Sequence, residues 1–125
     1  MPLDNSRSQV SNEIADLQAS LRQFAEERDW RQFHSPKNLA TALVVEAGEL
    51  LEHFQWLTED QSRTIAEDAV DSIADEIADV FIYLLELSSA LGIEPLGAAR
   101  KKIIANGLKY PVALAKGRMT KYTDL

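Results

Sequence analysis

Two short carboxylate pairs, Glu46 with Glu49 and Glu76 with Asp79, are each spaced three residues apart, so that helical geometry would put each pair on one face. On a wheel of about 100° per residue, Leu39, Leu43, Ala47, Leu50 and Phe54 form the core face of the helix holding the first pair. Glu46 lies at the edge of that arc and Glu49 just beside it. In the helix holding the second pair, Ile73, Ile77, Val80, Leu84 and Leu91 define the core, Glu76, Asp79 and Tyr83 flank it, and Asp68 and Asp75 point toward solvent. Half-buried carboxylates in such numbers cannot all stay ionised unaided, because burial and mutual repulsion both favour the neutral form. A divalent cation held by carboxylate oxygens from two facing helices resolves the conflict. Pairing with Arg or Lys from the first or last helix, or a water-filled groove, resolves it equally, and the residues alone leave these options open. His53 falls on the same edge, where a lone histidine is more often packed or hydrogen-bonded than a metal ligand.

The charge distribution bears on the same question. The chain carries a net charge of −7 over 125 residues, which argues against general nucleic-acid binding, since phosphate neutralisation needs a basic surface. Between Lys37 and Arg100 the only basic residue is Arg63, while that stretch holds 13 of the 20 carboxylates. Basic residues return in Arg100, Lys101, Lys102, Lys109, Lys116, Arg118 and Lys121. An acidic centre followed by a basic end suits metal ions held against a polyphosphate, although solvated acidic helices are the plainer reading. With no cysteine there is no disulfide, thiolate nucleophile or thiolate metal site, so hard, oxygen-preferring cations lead. No run is long enough to cross a bilayer and the opening MPLDNSRSQV lacks the pattern of a signal peptide, so a cytoplasmic protein without membrane association is expected. No Gly-x-Ser-x-Gly, Walker-type loop or Cys/His zinc pattern is present.

The elements that must position these residues read as helices throughout. Val10, Ile14, Leu17, Leu21 and Phe24 give the first helix one apolar stripe, ending near Arg28. Ser35 is placed to cap the second, with Pro36 at its first position, and that helix runs to about Gln55. Thr58 to Gln61 has the form of a capping box and opens a helical region continuing to Leu91, with room for a break near residues 70–72 and with Gly92 as C-cap. Pro95 starts a last helix reaching about Lys109, and Pro111 cannot continue it. The expectation is an all-α protein, a four-helix bundle in a single domain over residues 1–125, with a flexible arm over about 1–10 and an irregular tail over about 111–125.

Glu46-x-x-Glu49 followed by Glu76-x-x-Asp79 resembles the metal motif of the MazG-like, all-α nucleoside triphosphate pyrophosphohydrolases. The surroundings are more specific: FAEERDWRQFHSPKNLATALVVEAGELLEHFQW, DEIADVFIYL and KYPVALAKGRMTKYTDL look like the dCTP pyrophosphatase branch, over roughly residues 21–125. The resemblance implies that Glu46, Glu49, Glu76 and Asp79 bind Mg²⁺, or Mn²⁺ in its place, and that these carboxylates are catalytic, with Glu49 the first choice as proton acceptor. It implies a base pocket walled by Trp30 and Trp56, with Tyr83 against the nucleotide and His34, from the FHSPKN stretch, touching substrate. Lys102, Asn106 and Lys109 with Tyr110 match the family's K-x-x-x-N-x-x-[RK]-Y pattern and would grip phosphates. Arg118 and Lys121 would close over the site from the tail, with Tyr122 beside them. Departures are visible too: many MazG-like proteins carry another Glu where Val45 stands, the dCTP branch can carry a base-side histidine in place of Leu21, and it has an aliphatic residue in place of His53.

The implied reaction is hydrolysis of a nucleoside triphosphate, dCTP or a modified dCTP, to monophosphate and pyrophosphate, a task of nucleotide-pool sanitation. A sensor that binds nucleotide without turnover and a structural helical assembly protein are the rivals. Phe81 and Leu85 lie off the central stripe, which suggests packing against another subunit, and the resemblance implies a homotetramer built as a dimer of dimers.

Overall fold

The computed structural model describes residues 5–125, apart from the side chains of Asn5 and Ser11, and every regular element among them is a helix. The helices are α1 (Asn5–Glu27), α2 (Pro36–Glu52), α3 (Glu59–Ser62), α4 (Glu67–Leu91), α5 (Pro95–Lys109) and α6 (Val112–Ala115), with 3₁₀ turns at Arg31–Phe33 and Tyr122–Asp124. Among these residues no helix is long and apolar enough to cross a membrane. The all-α expectation therefore holds. The expected N-terminal arm lies outside the described residues over positions 1–4, and α1 already runs from Asn5.

Local chemistry fixes the helix ends. Ser35 Oγ accepts from the Asn38 N–H at 3.2 Å, satisfying one of the donors a helix start leaves free, and Pro36 follows at N1. Thr58 and Gln61 form the reciprocal capping box, with Thr58 Oγ1 accepting from Gln61 N at 3.1 Å and Gln61 Oε1 from Thr58 N at 2.9 Å. That box opens only the single turn of α3. The chain breaks at residues 63–66 and α4 starts afresh at Glu67, so the interruption comes earlier than residues 70–72. Gly92 closes α4 at φ 66°, a left-handed conformation that suits a residue without Cβ. Glu94 caps α5 with both carboxylate oxygens, toward the N–H groups of Leu96 and Gly97. In the tail expected to be irregular, residues 112–115 form a helical turn and 122–124 a 3₁₀ turn.

The chain divides into two units, Met1–Gly92 and Ile93–Leu125. In the first, α4 is the central helix, packing mainly on α2 and along a shorter stretch on α1. Its core is small: Ala25 of α1, Leu39 of α2 and Leu85 of α4 are the buried apolar residues, each no more than 2% exposed. This corrects the wheel. Leu85, expected to face another subunit, lies in the chain's own core, whereas Ile77, Leu84 and Leu91, expected inside, are exposed, as are Val10, Leu17 and Phe24 of α1. The reason lies in α4 itself, whose apolar arc, from Val80 and Ile73 round to Phe81 with Leu85 at its edge, is wider than the strip that α2 and α1 cover, so its periodicity cannot say which part of the arc is buried. In the second unit the rings of Tyr110 and Tyr122 meet edge to face at 5.9 Å, and Lys109 Nζ sits 4.9 Å from the Tyr122 ring centroid.

Candidate metal centre

The packing of α2 on α4 brings carboxylates from the two helices together. Glu46, Glu49 and Glu76 each offer an oxygen, and these atoms lie within 4.8 Å of one another. Asp79, one turn beyond Glu76, is exposed but close enough for its charge to act on both Glu46 and Glu76. Burial raises the Glu46 pKa to about 7, helped by hydrogen bonding and repulsion from Glu49 and by repulsion from Asp79 and Glu76. Glu76 is also raised, by burial first and then by Glu49 and Asp79, while His53 acts in the opposite direction. The His53 Nε2 lies 3.9 Å from Glu76 Oε1, at the C-terminal end of α2. Among the described ion pairs of the first unit, no arginine or lysine of that unit pairs with these carboxylates.

Two oxygens expose the same deficit. Oε2 of Glu46 and Oε2 of Glu76 are buried without a hydrogen-bond partner, a costly state for an acceptor that carries charge. Hard oxygen donors gathered from two helices, with buried lone pairs unused, fit a divalent cation of the Mg²⁺ or Ca²⁺ class. The residues present therefore suit such an ion.

Upstream, the chain leaves α1 through Asp29, which takes φ 54°, a left-handed conformation that Asp tolerates better than most residues. Gln32 Nε2 donates to the Asp29 carbonyl and carboxylate at 2.9 and 3.0 Å, and Asn38 Nδ2 donates to the Phe33 carbonyl at 2.9 Å. These bonds fix the turn that carries Trp30 and His34. Trp30 is 46% exposed, its ring set edge to face on Phe24 at 5.7 Å, and its backbone N–H donates to the Ala25 carbonyl at 2.9 Å. Trp56 is 87% exposed, in the turn after α2. Tyr83 sits half-buried on α4, and burial together with the charges of Glu86, Glu46 and Asp79 raises its pKa.

Between α1, the turn before α2 and α4 lies a cavity of about 300 Å³, whose lining includes Gln18, Leu21, Arg31, His34, Leu39 and Glu86. Neither tryptophan lines it. A further cavity of about 540 Å³ opens beside His53, bordered by Leu57, Gln61, Ile65 and Ile73. Glu86 was not among the residues singled out by sequence, although a signal existed: it continues the Glu76, Asp79, Tyr83 stripe by one more turn. Lys102, Asn106, Lys109 and Tyr110 belong to the second unit, the first three exposed on α5, and Arg118 and Lys121 are exposed in the tail.

Comparison with known proteins follows the same lines. The profile of the MazG-like family matches residues 41–125. The dCTP pyrophosphatase 1 of Rattus norvegicus is 40% identical over 114 residues, covering 90% of this chain and 67% of the relative. Its counterpart from Homo sapiens is 40% identical over 116 residues, with the same coverage. Among solved structures, a pyrophosphatase from Archaeoglobus fulgidus superposes with a TM-score of 0.75 at 40% identity, over 79% of this chain and 93% of that one. The profile match over most of the chain, and relatives at this identity over nine-tenths of it, lead to one statement: the chain belongs to the MazG-like family, in the branch that holds the dCTP pyrophosphatase 1 proteins.

Proposed function

We propose that this protein is a Mg²⁺-dependent nucleoside triphosphate pyrophosphohydrolase, acting on dCTP or a modified dCTP and releasing monophosphate and pyrophosphate. The observation that carries the reading is the Glu46, Glu49 and Glu76 cluster, with buried oxygens on two helices that have no hydrogen-bond partner among the described residues. The pyrophosphohydrolase class has further support from the named relatives and from the pyrophosphatase structure.

Glu46, Glu49, Glu76 and Asp79 would hold the ion, with Mn²⁺ as the substitute for Mg²⁺. Bound there, it would supply charge neutralisation on the triphosphate and a lowered pKa for the attacking water. The water oxygen bonds to the α-phosphorus as the bond to the bridging oxygen of the leaving pyrophosphate breaks. Glu49 is assigned to take the water's proton, since its carboxylate stands at the cluster without being one of the two with an orphaned buried oxygen. Trp30 and Trp56 are assigned to the walls of the base site and Tyr83 and His34 to the nucleoside. Lys102, Asn106, Lys109 and Tyr110, with Arg118 and Lys121, are assigned to the phosphates, from this chain or from a neighbouring copy. The exposed apolar side chains of α1 and α4 support assembly, which we assign as a homotetramer, a dimer of dimers acting in the cytoplasm as a single functional domain.

The test is a product assay with the eight common (d)NTPs and 5-methyl-dCTP, in Mg²⁺ or EDTA, resolved by anion exchange. Monophosphate and pyrophosphate from a deoxycytidine nucleotide, absent in EDTA, is the expected result. Turnover of another base alone would overturn the substrate assignment, and no turnover would overturn the reaction.

A further inference from the structure

Glu76, Asp79, Tyr83 and Glu86 follow one another on α4 at intervals of three, four and three residues, and so occupy one stripe of that helix. At a rise of 1.5 Å per residue the stripe carries Glu86 about 10 Å past Asp79. One end of the stripe is the acidic cluster. The other is the cavity of about 300 Å³ into whose lining Glu86 enters. Tyr83 stands between them, close enough to feel the charge of Glu86 as well as those of Glu46 and Asp79.

The lining of the cavity is partly apolar and partly polar. Leu21, Ala25 and Leu39 give it apolar surface, and Ala25 and Leu39 are among the most deeply buried residues of the chain. Gln18 is held in place by donating from Nε2 to the Leu85 carbonyl at 3.4 Å. Arg31, which also lines the cavity, is engaged with Glu26, Nη1 to Oε1 at 3.0 Å. Glu86 is half-buried, and burial pushes its carboxyl up, with His34 acting the other way. A carboxylate held partly out of water beside an apolar floor calls for a hydrogen-bond donor from a ligand.

We propose that this cavity receives the amino-bearing edge of the substrate base, beyond the faces that the tryptophans are assigned to wall, and that Glu86 sets the base preference by accepting a hydrogen bond from an exocyclic amino group. The inference rests on the pyrophosphohydrolase reading, because anchoring the α-phosphate at Glu46, Glu49 and Glu76 is what puts the base within reach of Glu86. A carboxylate accepts from the 4-amino group of cytosine. Uracil places an oxygen at that position, so two acceptors face each other and both lose their partner. A site built this way discriminates more sharply than a purely apolar pocket.

The experiment compares kcat/KM for dCTP and dUTP in the unmutated protein, in Glu86→Gln and in Glu86→Ala, all in Mg²⁺. The unmutated protein should favour dCTP on the order of 100-fold. Glu86→Gln, whose amide can turn either a donor or an acceptor toward the base, should lower that ratio by about tenfold or more. Glu86→Ala should lower it at least as far. Circular dichroism and the Mg²⁺-induced rise in Tm, both read on the variants, show that fold and metal cluster are intact. A ratio unmoved in both variants, or a preference for dUTP in the unmutated protein, overturns this inference and leaves the pyrophosphohydrolase reading standing. Hydrolysis of neither nucleotide nor of any other triphosphate by the unmutated protein overturns both.

Discussion

Oε2 of Glu46 on α2 and Oε2 of Glu76 on α4 are both buried without a hydrogen-bond partner, on facing helices whose carboxylates gather within 4.8 Å. The two helices thus hold negative charge together at their principal contact, and the fold is less stable without a cation than its packing alone would make it.

Divalent metal should therefore raise the unfolding temperature of the EDTA-treated protein, because an ion that binds the folded state alone shifts the equilibrium by mass action. Glu46→Gln and Glu76→Gln should each remove most of that rise. In EDTA at pH 8 the same variants should unfold no lower than the unmutated protein, since each removes one of the repelling charges. Thermal unfolding with and without Mg²⁺ reads both effects. An equal metal-induced rise in all three proteins would show that these carboxylates do not hold the ion.

The pH dependence has a definite sign. Glu46 titrates near 7 in the folded chain, above the ordinary value of 4.5, so between those values the folded state binds more protons than the unfolded one. Its favourable contribution is complete below about 4.5 and is lost as pH rises through about 7. Without divalent metal, urea unfolding should show the unmutated protein losing stability relative to Glu46→Gln between pH 5 and pH 8. A difference that stays flat over that range would place the Glu46 pKa near its ordinary value.

For turnover, Glu46→Gln and Glu76→Gln should each lower kcat/KM by about 10²-fold or more, because each would weaken the hold on the ion that neutralises developing negative charge. Glu49→Gln should lower kcat by a larger factor than Glu46→Gln or Glu76→Gln while removing less of the Mg²⁺-induced thermal shift, since Glu49 is assigned to take a proton as well as to help hold the ion. A thermal shift lost as fully in Glu49→Gln as in Glu46→Gln, with no greater fall in kcat, would leave Glu49 a ligand only and overturn its role as proton acceptor.

Leu85→Ala should cost about 3 kcal/mol in urea unfolding, as truncation of a buried leucine does. Leu84→Ala, one residue earlier but exposed in the single chain, should act through assembly instead. Its effect on Tm should shrink as protein concentration rises. Equal, concentration-independent losses at both positions would contradict this division of α4.

Ser35→Ala should cost about 1 kcal/mol, since it frees the Asn38 N–H that Ser35 Oγ now accepts at 3.2 Å. The loss lies beside His34 and the turn that carries it. A stability unchanged within error would mean that water replaces the cap without cost.

Much of the architecture was legible locally. Ser35 with Pro36, Thr58 with Gln61, and Gly92 marked element ends because capping is settled by a residue and its neighbours within one turn. The three-residue spacing of Glu46 with Glu49 and of Glu76 with Asp79 likewise fixed which carboxylates share a helix face. What the sequence left undecided was how the helices turn about their axes. Because the apolar arc of α4 is wider than the strip its neighbours cover, only its packing on α2 and α1 chose Leu85 rather than Leu84 for the interior, and only that packing brought Glu76 within reach of Glu46 and Glu49. The same rotation carried Glu86 into a cavity shared with α1 and the turn before α2. Spacing along one helix is a local quantity, whereas a cavity lined by α1, α2, α4 and the turn before α2 is decided by how all of them pack.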